Sequence, residues 1–114
     1  MRISQSRHVI NFFLANVWHW IEEYHLDGLR FDATQNIIDQ SPRHILSEMT
    51  EHARLAATGR QILLIAENEP QNVKLLRPVA ADGYGLDALC NDDFHHSAMV
   101  AMTGRSEAYY SCPV

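Results

Sequence analysis

Three residues spaced for chemistry stand in two short stretches of this chain. Arg30 and Asp32 are two positions apart in Leu26-Asp27-Gly28-Leu29-Arg30-Phe31-Asp32-Ala33, which reads as a strand with Asp32 at its C-terminal end. Side chains alternate across a strand, so Gly28, Arg30 and Asp32 share one face while Leu29 and Phe31 share the other. A guanidinium beside a carboxylate favours its ionised form by a charge-assisted hydrogen bond, the state a nucleophile needs. Glu67 closes a second run, with Leu63 and Ile65 on its own face. If the two strands neighbour one another in a barrel, both carboxylates crown the rim where barrel enzymes keep their chemistry. One ionised carboxylate and one that keeps its proton in a drier setting form the pair that cleaves glycosidic bonds. Taken singly, either carboxylate also reads as a helix cap or a structural ion pair, and the spacing alone does not identify the reaction.

The elements that must position these groups are legible from periodicity. Val9, Ile10, Phe13, Leu14, Val17, Trp20, Ile21 and Tyr24 recur at helical spacing, predicting an amphipathic helix from Ser6 to about Tyr24. Its aromatic residues Phe12, Phe13, Trp18, Trp20 and Tyr24 are expected to pack in the core rather than to form a sugar platform. Ser41 before Pro42 predicts a second helix running to about Thr58 and stopped by Gly59. Gln61-Ile62-Leu63-Leu64-Ile65-Ala66 is apolar without alternation, as a parallel strand buried on both faces would be. Leu75 to Tyr84 reads as loop or short helical turn, Gly85 to Leu89 as a third strand, and His95 to Thr103 as a helix stopped by Gly104. The alternation predicts an α/β fold with a parallel sheet and helical crossovers covering both sheet faces.

Composition narrows the functions. Nine Lys and Arg against fourteen Asp and Glu give a net charge of −5, which argues against a general nucleic-acid or anionic-membrane binder. Hydrophobic residues make up 46% and charged residues 20%, the balance of a chain that forms a core. Cys90 and Cys112 have no C-x-x-C spacing, so neither a disulfide framework nor a zinc knuckle is indicated. With no apolar leader after Arg2 and no apolar run of membrane-spanning length, a cytoplasmic location is expected.

The motifs themselves carry a resemblance. Asp27-Gly28-Leu29-Arg30-Phe31-Asp32-Ala33 and Ile65-Ala66-Glu67-Asn68-Glu69 resemble the second and third conserved regions of the α-amylase superfamily. More narrowly, three stretches together are similar to the malto-oligosyltrehalose trehalohydrolase family: Asp32-Ala33-Thr34-Gln35, Ala66-Glu67-Asn68-Glu69-Pro70-Gln71 and Asn91-Asp92-Asp93-Phe94-His95-His96. The resemblance extends from about Ser6 to Tyr110. It implies a partial (β/α)8 barrel of about three parallel strands, residues 1–114 forming a single unit of a catalytic domain. It further implies Asp32 as nucleophile, Arg30 as its partner and Glu67 as general acid/base. Substrate contacts are implied for Arg30, Gln35, Glu69, Asp92, Asp93, His95 and His96, with no cofactor and no metal. The implied substrate is a maltooligosyl trehalose, cut at the α-1,4 bond next to the terminal trehalose.

Departures qualify that expectation. Gln35-Asn36 stands where many α-amylases carry Lys-His, which argues against an ordinary amylase acceptor subsite, and Cys90 stands where a tryptophan is expected. The superfamily's Asn-His region and its His-Asp region, which carries a third carboxylate, have no match, and a complete barrel takes about 250 residues. The Asp/His run admits metal ligation, helix capping or sugar contact, of which the resemblance favours the last. Other readings are another α-glucan-active enzyme such as a branching enzyme or amylase, an inactive interaction segment, and a metal-dependent hydrolase. Ordering costs about 1 to 2 kcal/mol per residue, and strands left unpaired at both margins recover little of it. The chain alone is therefore expected to be molten, oligomeric or aggregated, and inactive.

Overall fold

The computed structural model describes residues 2–3, 6–90 and 92–105. Asn91, Tyr110 and Cys112 lie outside the described residues. The elements are β1 (Arg2–Ile3), α1 (Arg7–Glu22), β2 (Gly28–Phe31), β3 (Ile38–Asp39), α2 (Ile45–Ala56), β4 (Leu63–Glu67), β5 (Ala88–Cys90) and α3 (Asp92–Thr103). A parallel sheet has the order β2-β4-β5, while β1 and β3 form a separate parallel pair that the sequence did not announce. The fold is α/β, with helices joined to three parallel strands as in part of a (β/α)8 barrel.

The apolar stripe of α1 does what its spacing predicts. Ile10, Leu14, Val17 and Ile21 are buried in one cluster with Ile45, Leu46 and Met49 of α2 and with Phe31, Leu64 and Ala66 of the sheet. The aromatic residues of α1 depart from expectation, because only Phe13 packs against the core. Phe12, Trp18, Trp20 and Tyr24 are exposed, the Trp20 and Tyr24 rings 4.9 Å apart and tilted by 37°, and Trp18 meeting His52 of α2 edge-on. The stripe that reaches the sheet is about a third of the helix circumference, and four aliphatic residues fill it.

Crossovers cover one sheet face, not both. Leu64 is fully buried whereas its neighbour Leu63, pointing the other way, is 51% exposed. Between β4 and β5 the chain makes only two 3-10 turns, Val73–Leu75 and Val79–Ala81, and the buried Leu75 and Leu86 fill the space a crossover helix would take. Strand approach is closest at the base of β2, where a Cβ on Gly28 would lie 2.2 Å from the Leu63 carbonyl oxygen. Only glycine allows that pairing.

Helix α2 starts three residues later than Pro42 suggests. The Asp39 carboxylate accepts from Ser41 N–H at 2.9 Å, from Ser41 Oγ at 2.6 Å and from Ile45 N–H at 2.7 Å. His44 Nδ1 accepts from Leu46 N–H at 3.2 Å. These two side chains satisfy the first helical N–H groups, so Ser41 and Pro42 are left in the bend before the helix. Its end falls as expected, with Thr58 at φ 50° and Gly59 at φ 81°. Helix α3 begins at Asp92, earlier than His95, with both aspartates in its first turn. Among the described residues no helix is long and apolar enough to cross a membrane.

Candidate active site

Parallel register brings the carboxylates together. Phe31 of β2 stands beside Ala66 of β4, so the next residues, Asp32 and Glu67, leave adjacent strand ends on the same face. Neighbouring strands are about 4.8 Å apart, close enough for two carboxyl groups to touch. Arg30 lies on that face, its Nη2 at 2.6 Å from Glu67 Oε1 and 3.9 Å from Asp32 Oδ1. Ala33, held at φ 44°, turns its N–H to Glu67 Oε2 at 3.3 Å.

This corrects the proton assignment expected from Arg30 and Asp32 alone. A hydrogen bond with Glu67, then repulsion by the Glu67 charge, holds the Asp32 carboxyl above the usual range against the opposing pull of Arg30. The same hydrogen bond, followed by the Ala33 N–H and the Arg30 guanidinium, holds Glu67 below it. Register sets Ile65 opposite Arg30 and Glu67 beside Asp32, and the long arginine side chain spans that diagonal to place its Nη2 on Glu67. Of the two, Asp32 is thus the carboxyl that holds its proton more tightly in this arrangement.

Gln35 lies in the 3-10 turn Thr34–Asn36 directly after Asp32, its Oε1 buried without a hydrogen-bond partner. Glu69 is exposed, two residues beyond Glu67. Asp92 and Asp93 open α3 just past the end of β5, whose Cys90 pairs with Glu67. His95 and His96 follow on α3 with their rings 5.2 Å apart, edge to face. Arg30, Asp32 and Glu67 thus form one cluster, and the α3 residues stand on the neighbouring strand end. Among the described residues no three His, Cys, Asp or Glu side chains gather as metal ligands. A cavity of about 330 Å³ opens beside β2, lined by Phe13, Val17, Trp20, Leu29 and Met49 with Arg30 and Asp32 among its walls.

Thr34 and Asn68 stand inside the quoted motifs, but nothing in the sequence assigned either a role. Both are buried, and Thr34 Oγ1 lies 2.8 Å from Asn68 Oδ1. Apart from their place in those motifs the signal was a polar residue just past each strand end, which is ordinary for loops.

Two carboxylates and a guanidinium at adjoining C-terminal ends of parallel strands are the kind of grouping that barrel enzymes hold at their rim. A crystal structure of a protein assigned as an alpha amylase from Salmonella typhimurium matches this fold with a TM-score of 0.78 and 38% identity, covering 90% of this chain and 18% of that one. Over 106 residues the chain is 39% identical to the malto-oligosyltrehalose trehalohydrolase of Saccharolobus solfataricus, and over 108 residues 41% identical to that of Rhizobium sp.. Each alignment takes in 93% of this chain and 18% of the relative's length. No family model matches. Across that one stretch of their length the chain is similar to the malto-oligosyltrehalose trehalohydrolases, as its motifs led us to expect.

Proposed function

We propose that residues 1–114 are a unit of the catalytic barrel of a retaining glycoside hydrolase, and that Asp32 and Glu67 are its nucleophile and its general acid/base. The convergence of Arg30, Asp32 and Glu67 at adjoining strand ends carries the reading. Asp32 attacks the anomeric carbon, Glu67 protonates the departing glycosidic oxygen, and water activated by Glu67 then opens the glycosyl-enzyme ester. With a sugar ring between them the two carboxyls stand about 5 to 5.5 Å apart, the spacing of retaining enzymes. In that complex Glu67 carries the proton, and Arg30, already 3.9 Å from Asp32, stabilises the ionised nucleophile.

The substrate we propose is a maltooligosyl trehalose, cleaved at the α-1,4 bond beside the terminal trehalose, with Gln35, Glu69, Asp92, Asp93, His95 and His96 as sugar contacts. Similarity to the trehalohydrolases supports it. Action on another α-glucan is the second reading, favoured by the match to the alpha amylase structure. A cytoplasmic place in trehalose formation goes with the first. The test joins this chain to the rest of a barrel by exchanging it for the matching segment of the Rhizobium sp. relative. Glu67→Gln in that chimera should keep turnover of glycosides with activated leaving groups while losing natural substrate. Equal loss on both would remove Glu67 from the acid role.

A further inference from the structure

We propose that Thr34 and Asn68 are positioning residues whose buried hydrogen bond clamps the end of β2 to the end of β4 and thereby holds Asp32 against Glu67. Ladder hydrogen bonding between the two strands runs only as far as Phe31 and Ala66. Beyond that point β2 leaves the sheet, because Ala33 adopts the left-handed conformation. The backbone therefore no longer ties the strands together where the carboxylates stand. Thr34 Oγ1 takes over, 2.8 Å from Asn68 Oδ1 and 3.0 Å from the Glu67 carbonyl oxygen, its one proton serving both.

The clamp is built rather than incidental. Thr34 and Asn68 are 4% and 5% exposed, so neither has water to fall back on. Asn68 Nδ2 donates to the Pro70 carbonyl, which fixes the amide so that Oδ1 faces Thr34. With both loops pinned, the Ala33 N–H comes within 3.3 Å of Glu67 Oε2. The role rests on reading Asp32 and Glu67 as the reacting pair, but its test needs no hydrolysis.

The test follows the Asp32 and Glu67 carboxyl carbons by NMR as pH is varied, in the chimera that carries these 114 residues within the Rhizobium sp. barrel. In the unaltered chimera the two should titrate as a coupled pair, Asp32 above and Glu67 below the ordinary range. Thr34→Val should draw the two titrations together, and Thr34→Ser, which keeps the hydroxyl, should restore their separation. Thr34→Val combined with Asn68→Ala leaves no orphaned partner between them, and should behave as Thr34→Val does. Thr50→Val is the control: its buried hydroxyl donates to the Tyr84 carbonyl at 2.7 Å, distant in sequence from either carboxylate loop, so it should lower stability without merging the titrations. Independent, ordinary titrations in the unaltered chimera would overturn the proposal. So would an unchanged separation in the double variant, or a Thr50→Val effect equal to that of Thr34→Val. Failure here leaves Asp32 and Glu67 as the reacting pair untouched; that reading fails by the chimera's rates instead.

Discussion

Leu63 and Leu64 are consecutive on β4, and their replacement by alanine separates the two faces of the sheet in one experiment. Leu64 is fully buried against α1 and α2, so truncation removes its transfer free energy and leaves a cavity, a loss of about 2 to 5 kcal/mol. Leu63 is 51% exposed, and full burial of a leucine contributes about 1.5 to 3 kcal/mol, so its truncation costs about 1 kcal/mol. A self-sufficient domain holds about 5 to 15 kcal/mol in all, and a chain with one sheet face open to water holds less. Leu64→Ala should therefore bring the chain close to unfolding, whereas Leu63→Ala should shift the urea midpoint only slightly. Hydrogen exchange of the β4 amides gives a second readout, with protection lost in the first variant and kept in the second. Leu63→Thr should also lower binding of an apolar-surface dye, because that face meets water. Equal costs for the two truncations would refute the one-sided packing and place a cover over the inner face.

Three further outcomes follow from the same contacts. Burial, acting first, lowers the His44 ring below its ordinary 6.5 against the opposing pull of Asp39; the unfolded chain then binds more protons, so stability is full above that value and falls as pH drops toward the depressed one. An unfolding midpoint that is flat with pH across this window in the parent, or a slope that survives His44→Phe, would contradict this. For Asp39, burial raises the carboxyl but Ser41 and Ile45 outweigh it, so its net value is lowered and its stabilisation is lost in acid as pH falls through the depressed value; Asp39→Ala should cost about 1 kcal/mol as a lost cap, read by circular dichroism in urea. The 114-residue chain by itself should show no turnover of maltodextrins, since preorganised charge around the whole rim supplies much of the rate, and turnover abolished by Asp32→Ala would reverse that expectation.

Patterns set by local physics were legible in the sequence. The α1 stripe, the apolar β4 run and the helix stop at Gly59 depend on neighbours a few residues away, and each falls within two or three positions of expectation. Contacts between elements were not. Asp39 displaces Ser41 from the cap because β3 brings its carboxylate to the helix start, which no propensity reveals. Arg30 reaches Glu67 because β4 lies beside β2 in a particular register. Likewise Thr34 and Asn68, 34 residues apart, meet only once both strand ends are in place. The residue types of the site were thus readable, while their partners and proton states required the pairing of strands.

Covalent trapping tests the central claim most directly. In the chimera carrying these 114 residues within the Rhizobium sp. trehalohydrolase, a fluorinated glucoside that forms the glycosyl-enzyme quickly and hydrolyses slowly should leave one sugar on the protein. Peptide mass spectrometry should find it on Asp32, and Asp32→Asn should abolish it. A label on any other carboxylate, or none in a chimera that still hydrolyses maltooligosyl trehalose, would contradict the assignment of Asp32 as nucleophile.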